Sequence, residues 1–369
     1  MSNITRLTPY SELVEKVQTL ARDNSYSSRD KFKGLINWAY TQEIPRKEDW
    51  SPLVASSSIS CTARYNTGTV SVTAGDTTIT GVGTTWVTGM TNRKIRISGN
   101  SNVYTFTYAS ATTGTISPAL SGGSDVSGAG YVMFDDDYAL ASDFNRFLSG
   151  GSLYKYRSGR PYVVSEVSER KWRDEYSIDV SDETTRCRLR GFDTSMNRVV
   201  EINPAPQTAI ALPYDYIKHL TPMTEYRTGY VTDITNGVAT VTGSGTDWDG
   251  YISSSYTYYF RMDKDGVGDS SVWYKVASAG SDTALTLSSV YTGTSVASGS
   301  EEYTICMIPL LPYEFQDWMI YLAAVNSGID QNDPSAQGWI AMSQQIEKQC
   351  KTIWKNRDTD QNIDVEYYQ

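Results

Sequence analysis

YNTGTVSVTAGDTTITGVGTTW, from Tyr65 to Trp86, and YRTGYVTDITNGVATVTGSGTDW, from Tyr226 to Trp248, are two copies of one pattern, and they decide how the chain is read. With one residue inserted in the second copy, Tyr65/Tyr226, Gly68/Gly229, Val70/Val231, Gly75/Gly237, Gly81/Gly243, Gly83/Gly245, Thr84/Thr246 and Trp86/Trp248 coincide. The correspondence resumes downstream, where TISPALSG from Thr115 matches TLSSVYTG from Thr286 and Tyr131 matches Tyr303. An internal repeat has to be recognised before any fold is assigned. Alternating Thr, Val and Ile residues interrupted by Gly-Asp or Asn-Gly specify antiparallel hairpins, so each copy is expected to be a small barrel or sandwich. The two modules are placed at 63–134 and 226–308.

Outward from the repeat, both chain ends read as helical. Thr8 and Pro9 mark a start, and Leu13, Val17 and Leu20 recur on one face. A second stripe runs through Phe32, Leu35, Ile36 and Ala39 with Trp38 beside it, and Ile44-Pro45 is expected to stop it. Beyond Pro312, Phe315, Trp318, Met319, Leu322 and Val325 keep helical spacing up to Gly328. Pro334 opens a last helix carrying Trp339, Met342, Ile346, Cys350 and Ile353. ALASDFNRFL, from Ala139, reads as a short helical turn. SLYKYRSGRPYVVSEVSERKWRDEY, from Ser152, alternates strand formers with charge, and further strands end at Pro204 and Pro206 and run through Leu212, Tyr214 and Tyr216.

The expectation is an α+β protein: a helical bundle built from both chain ends with a small central β-sheet, and two inserted, duplicated antiparallel β-barrel or sandwich modules. Residues 1–62 are the N-terminal helical part of the body, 135–225 its central sheet, 309–356 its C-terminal helices, and 357–369 an extended tail without helical period.

Composition restricts the chemistry. One histidine, His219, excludes a multi-histidine metal site, and any Ser-His-Asp triad would have to use it. His219 is expected to serve packing. The four cysteines, Cys61, Cys187, Cys306 and Cys350, form no CxxC pair and read as isolated reduced thiols. The N-terminus has no secretory pattern and no apolar run reaches membrane-spanning length, so a cytosolic origin and no membrane partner are expected. A net charge of −10 opposes tight binding to phosphate backbones. The 27 tyrosines, beside 28 glycines, suit wettable contact surfaces.

Candidate sites carry paired readings. Asp135-Asp136-Asp137 could hold a hard cation such as calcium, or form a solvated or helix-capping acidic turn. DKDGVGD, from Asp263, resembles a calcium loop without its downstream glutamate, and also reads as a hairpin tip. Glu166, Glu169, Asp174 and Glu175 could supply a carboxylate pair for glycoside cleavage, or line a charged strand face. Arg186, Arg188 and Arg190 share one strand face and could contact phosphate or an acidic neighbouring subunit, or lie on an exposed edge. Trp86 and Trp248 could stack on sugars, or plug the core of each copy. No cofactor and no metal is assigned, and no catalytic residue.

INWAY (Ile36–Tyr40), ASDFNRF (Ala141–Phe147), NPAPQTAIALPYDYIKHLTPM (Asn203–Met223) and IPLLPYEFQDWMIYLAA (Ile308–Ala324), followed by a last helix and a loose tail, resemble the head-to-tail adaptor (connector or neck) proteins of tailed bacteriophages. The matching features are Pro204, Pro206, Tyr214, Tyr216, Pro309 and Pro312. The resemblance implies a structural virion protein, not an enzyme, that assembles in the host cytoplasm. It would form a homo-oligomeric ring, commonly dodecameric, beneath the portal at the head-tail junction. That ring would touch portal and tail or further neck proteins and pass DNA without tight binding, with possible capsid contact by the β modules. It further implies that the tail, through Asn356, Arg357, Ile363, Val365, Tyr367 and Tyr368, docks on the portal. The alternative from the residues is a carbohydrate- or receptor-binding tail component.

Overall fold

A computed structural model describes residues 8–23, 25–148, 152–157, 159–175, 184–263 and 272–355. The chain divides into two compact units, one of residues 54–218 and one joining 1–53 to 219–369. The first copy of the repeat lies in the former and the second copy in the latter.

In the 54–218 unit, the first copy is a seven-stranded antiparallel sheet. Its order is Val126–Ala129, Thr69–Val72, Thr78–Val82, Thr113–Ser117, Val103–Ser110, Lys94–Ile97, Tyr131–Phe134. The second copy repeats that order strand for strand: Val296–Glu301, Tyr230–Ile234, Thr240–Ser244, Ala284–Leu287, Tyr274–Ser281, Tyr258–Met262, Tyr303–Met307, with Glu225–Tyr226 added at the edge. In the first copy the edge strands are consecutive in sequence, joined only by Gly130, so the sheet has to curl to bring its edges together; Glu302 makes the equivalent link in the second. The residue inserted in the second copy has a place. The ladder pairs Val231 with Gly243 but Asp233 with Thr242, so Thr232 is the extra residue of a β-bulge, where the first copy pairs Val70 with Gly81 and Ser71 with Thr80 in unbroken register.

The rest of the 54–218 unit is an eight-stranded sheet in the order Val54–Cys61, Ile210–Lys218, Leu153–Arg157, Arg160–Glu166, Arg186–Phe192, Arg198–Asn203, Asp137–Ala139, with Phe144–Phe147 also on Ile210–Lys218. Alternate residues Ile59, Cys61, Leu153, Val164, Cys187, Val200, Ile202, Leu212 and Tyr214 face one core, which Phe144 and Phe147 close. The pairing is antiparallel except between Arg160–Glu166 and Arg186–Phe192.

In the other unit, Tyr10–Leu20 and Tyr26–Trp38 pack on Tyr313–Gln331, which in turn packs on Ala336–Trp354. Tyr10–Leu20 also lies against Tyr303–Met307. Trp50 packs edge-on against Phe315 and Trp318, with centroids 5.1 and 5.8 Å away.

The expected α+β architecture is therefore corrected. The protein is mostly β, with three large sheets and about 26% helix, and no helical bundle from the two chain ends forms its body. The central sheet is not small, and it belongs with the first β module rather than with the helices. Two local readings account for part of the error. ALASDFNRFL forms parts of the strands Asp137–Ala139 and Phe144–Phe147, because Leu140, Phe144 and Phe147 enter the sheet core. Ile44-Pro45 does not stop its helix. A π-turn at Ala39–Glu43 passes into a short helix, Ile44–Lys47, near whose start proline needs no N–H donor.

Candidate functional site

Each β module is built around one tryptophan. Trp86 and Trp248 are 2% and 0% exposed. Each seat is made by a glycine five residues earlier, on the strand that leads to the tryptophan: a Cβ on Gly81 would come within 3.0 Å of the Trp86 ring, and one on Gly243 within 2.7 Å of Trp248. The indole N–H then has to find a buried acceptor. Trp86 donates to the Tyr131 hydroxyl and Trp248 to the Tyr303 hydroxyl, both at 2.9 Å. Those hydroxyls donate onward to the Thr67 and Thr228 carbonyls, at 2.7 and 2.5 Å. Burial pushes both phenols well above the ordinary tyrosine range. The hydroxyls of Tyr65 and Tyr226 accept from the Thr85 and Asp247 amides. Gly68 and Gly229 adopt positive φ of 84° and 80°, and each passes so close to the opposing Gly83 or Gly245 that no side chain fits. Of the two readings of the tryptophans, the geometry is that of core plugs: neither ring offers a face to a sugar.

Below the first module sits a charge cluster. Lys94 leaves its strand on the face opposite the buried Ile95, and its ammonium lies 2.5 Å from Asp136, 3.1 Å from Asp137 and 3.7 Å from Glu201. The oxygens of Asp136, Asp137 and Glu201 fall within 4.8 Å of one another, a spacing that could hold a metal ion. The Lys94 ammonium already supplies their cation. Burial pushes the Asp136 carboxyl up to about 6, against the opposing pull of Lys94. Burial also works against the Lys94 charge, but Asp136 and Asp137 outweigh it and raise its pKa. The acidic run caps no helix and is only partly solvated: Asp137 is exposed at the start of a strand, Asp135 is half-buried and Asp136 is 2% exposed.

Arg188 and Arg190 extend the same cluster. Arg188 donates to Glu201 and Glu169 and stacks over Trp172 at 4.8 Å, and Arg190 meets Asp137 at 2.9 Å. Arg186 is half-buried at the head of that strand. Arg188 and Arg190 are thus committed to carboxylates of their own unit. The sequence does not expose Lys94 and Glu201 as members, because each sits singly in a strand and only the ladder brings them beside Asp136.

The second unit holds its own network. Glu225, with a side chain 6% exposed, accepts from Lys33 at 2.7 Å and Arg29 at 2.9 Å, with Arg227 at 3.5 Å. Burial alone would raise its carboxyl, yet the hydrogen bonds from Arg29 and Lys33 and the nearby cations hold it at about 2. Arg261 bridges Glu15 at 2.8 Å and Asp263 at 3.4 Å and stacks over Trp273 at 4.4 Å.

The remaining candidates are dispersed. His219 is exposed and lies beyond the strand Ile210–Lys218, so it does not pack as expected. Glu166 is exposed and Glu169 is engaged by Arg188; the Asp174 and Glu175 side chains lie outside the described residues. All four cysteines are buried, and burial pushes the Cys187 thiol up to about 11 and those of Cys61, Cys306 and Cys350 up to about 12. None is a thiolate nucleophile at neutral pH. The proposed docking residues Asn356, Arg357, Ile363, Val365, Tyr367 and Tyr368, and the DKDGVGD loop after Asp263, lie outside the described residues. Among the described residues, no helix is long and apolar enough to cross a membrane.

No protein-family model matches the chain, and no curated protein matches it.

Proposed function

We propose that this chain is a non-enzymatic structural component of a tailed-phage virion, acting at the head-to-tail junction as a ring of identical copies beneath the portal. The observation that carries this reading over the carbohydrate-binding alternative is the burial of both repeat tryptophans, each locked by an indole–phenol hydrogen bond. A sugar-binding module needs an open aromatic platform, and the repeat spends its largest ring on internal rigidity. The phrases around Asn203–Met223 and Ile308–Ala324 supply the link to the adaptor family. In a ring, every copy needs two different complementary faces. The acidic balance of the chain would keep passing DNA from adhering to the channel wall.

The test is electron microscopy of the purified chain, alone and with portal-bearing heads, alongside a glycan array. Rings with a central opening, or a ring-shaped density on the portal vertex, support the reading. A single copy in both settings overturns it, and saturable glycan binding favours the tail-component alternative.

A further inference from the structure

The hairpin formed by Leu153–Arg157 and Arg160–Glu166 leaves the wall of its sheet. Its root is fixed: Leu153 and Val164 are 0% exposed, Leu153 pairs with Tyr214, and Ser165 and Glu166 pair with Arg186 and Cys187. Beyond that root, Tyr154 to Arg157 and Arg160 to Val163 have ladder partners only in each other, among the described residues. Tyr156, Tyr162 and Val163 are 67%, 46% and 51% exposed, and Arg160 and Pro161 are exposed beside them. Tyr156 and Val163 belong to one face of this ribbon and Tyr162 to the other, so both faces present apolar surface. A two-stranded ribbon is at best marginal in water, and clustered exposed apolar side chains mark an interaction surface.

The charge of this segment identifies its partner. Between Asp143 and Glu166, which flank it, the segment has no acidic residue, against Arg146, Lys155, Arg157 and Arg160, in a chain whose net charge is −10; Lys155 is held by the Thr184 carbonyl at 3.0 Å, and Arg160 is exposed on the arm itself. A local excess of cations on an acidic protein is complementary to another copy of the same protein. Tyr and Arg are also the residues that dominate the centres of protein interfaces. Val163 and Pro161 add surface that a protein partner would bury and a phosphate backbone would not. We infer that this hairpin is the arm by which one copy clasps the next, an inference that rests on the ring reading and names its contact. The contact is heterologous, because the arm meets a different, acidic surface of its neighbour.

The full-length chain is studied by mass photometry over a concentration series, as wild type, as the double variant Tyr156→Ser/Val163→Ser, and as Arg160→Glu. Val238→Ser, on an exposed turn of the second module, is the control. Circular dichroism and melting curves report the fold of each. The inference expects both arm variants to raise the assembly midpoint by about tenfold or more with unchanged melting, and the control to assemble as wild type. A photo-crosslinking residue at position 162 should trap a second copy. Arm variants that assemble as well as wild type overturn the inference while leaving the ring intact. Wild-type protein that stays single at every concentration, with and without portal-bearing heads, overturns the ring reading and the arm with it. Crosslinking of position 162 to DNA, with a duplex mobility shift lost in Arg160→Glu, overturns the inference in favour of nucleic-acid contact.

Discussion

The two copies of the β module share a strand order, a tryptophan seat and a phenol network, yet they differ wherever the frame does not dictate the side chain. In the first copy, Phe106 lies over Gly114 and packs at 4.9 Å against Trp86. By ladder position the counterparts are Val276 and Leu285: the single large ring of the first copy is replaced by one aliphatic side chain on each strand. Outside the core, the equivalent strand sends Lys94 into Asp136, Asp137 and Glu201 in one unit and Arg261 to Glu15 and Asp263 in the other. The frame is therefore the conserved element, and each copy is fastened to different surroundings by a cation launched from the same strand.

Removing the shared element should have the largest effect. Trp86→Ala and Trp248→Ala should each cost about 3–5 kcal/mol, since each leaves a cavity and an orphaned phenol. Hydrogen exchange followed by mass spectrometry should localise each loss to its own unit. Equal loss of protection in both units would break the comparison.

The fasteners come next. Lys94→Met strands the buried Asp136, while Arg190 and Arg188 still hold Asp137 and Glu201, and should destabilise the 54–218 unit by about 3 kcal/mol at pH 7, with the other unit unchanged. Denaturant titration read by the same exchange measurement checks this.

Acid should separate the two units in sign. The Asp136 carboxyl rises from 3.8 to about 6 on folding, so between these values the folded state binds more protons, and this group adds stability as pH falls from neutrality toward 4. Glu225 falls from 4.5 to about 2, so its contribution, at most about 3 kcal/mol, is present above pH 4.5 and is lost as pH falls through that window. Unit-resolved protection between pH 7 and 3 should therefore diverge. Replacing Asp136 with Asn should remove the first trend and Glu225→Gln the second.

The smallest effect tests the packing swap. Gly114→Leu alone should cost about 1–3 kcal/mol or more, since its Cβ would crowd both the Phe106 ring and the Thr107 carbonyl, and adding Phe106→Val should recover the part due to the ring. No recovery in the double variant would mean that the copies are not interchangeable in their cores.

How much of this could be read beforehand follows from how local each signal is. Gly81, Gly83, Thr84 and Trp86 lie within six residues, so the tryptophan seat is visible in the sequence together with its second occurrence. The central sheet is not, because Val54–Cys61 pairs with Ile210–Lys218 across the entire first module, and one of its pairings is parallel. Its short strands, such as Phe144–Phe147, carry too few residues to show a period of two. The helical stripes mislead for the opposite reason: Leu13, Val17 and Leu20 are strong signals, but they record that a face is covered and not what covers it. The sequence shows pieces of the Lys94 network, such as Asp136 and Arg188, but not that they meet, and it shows nothing of the Glu225 network, since the members of each come from separate segments.

One feature of the modules reaches beyond stability. Tyr65 and Met133 exchange two backbone hydrogen bonds of 2.8 Å, and Glu225 and Tyr226 pair with Cys306 and Ile305, so each copy begins and ends at the same doorstep. A segment with that layout can be spliced into a surface turn without stretching its host, which gives a duplication two unlike places to land and gives an engineer a cassette to remove or transplant whole.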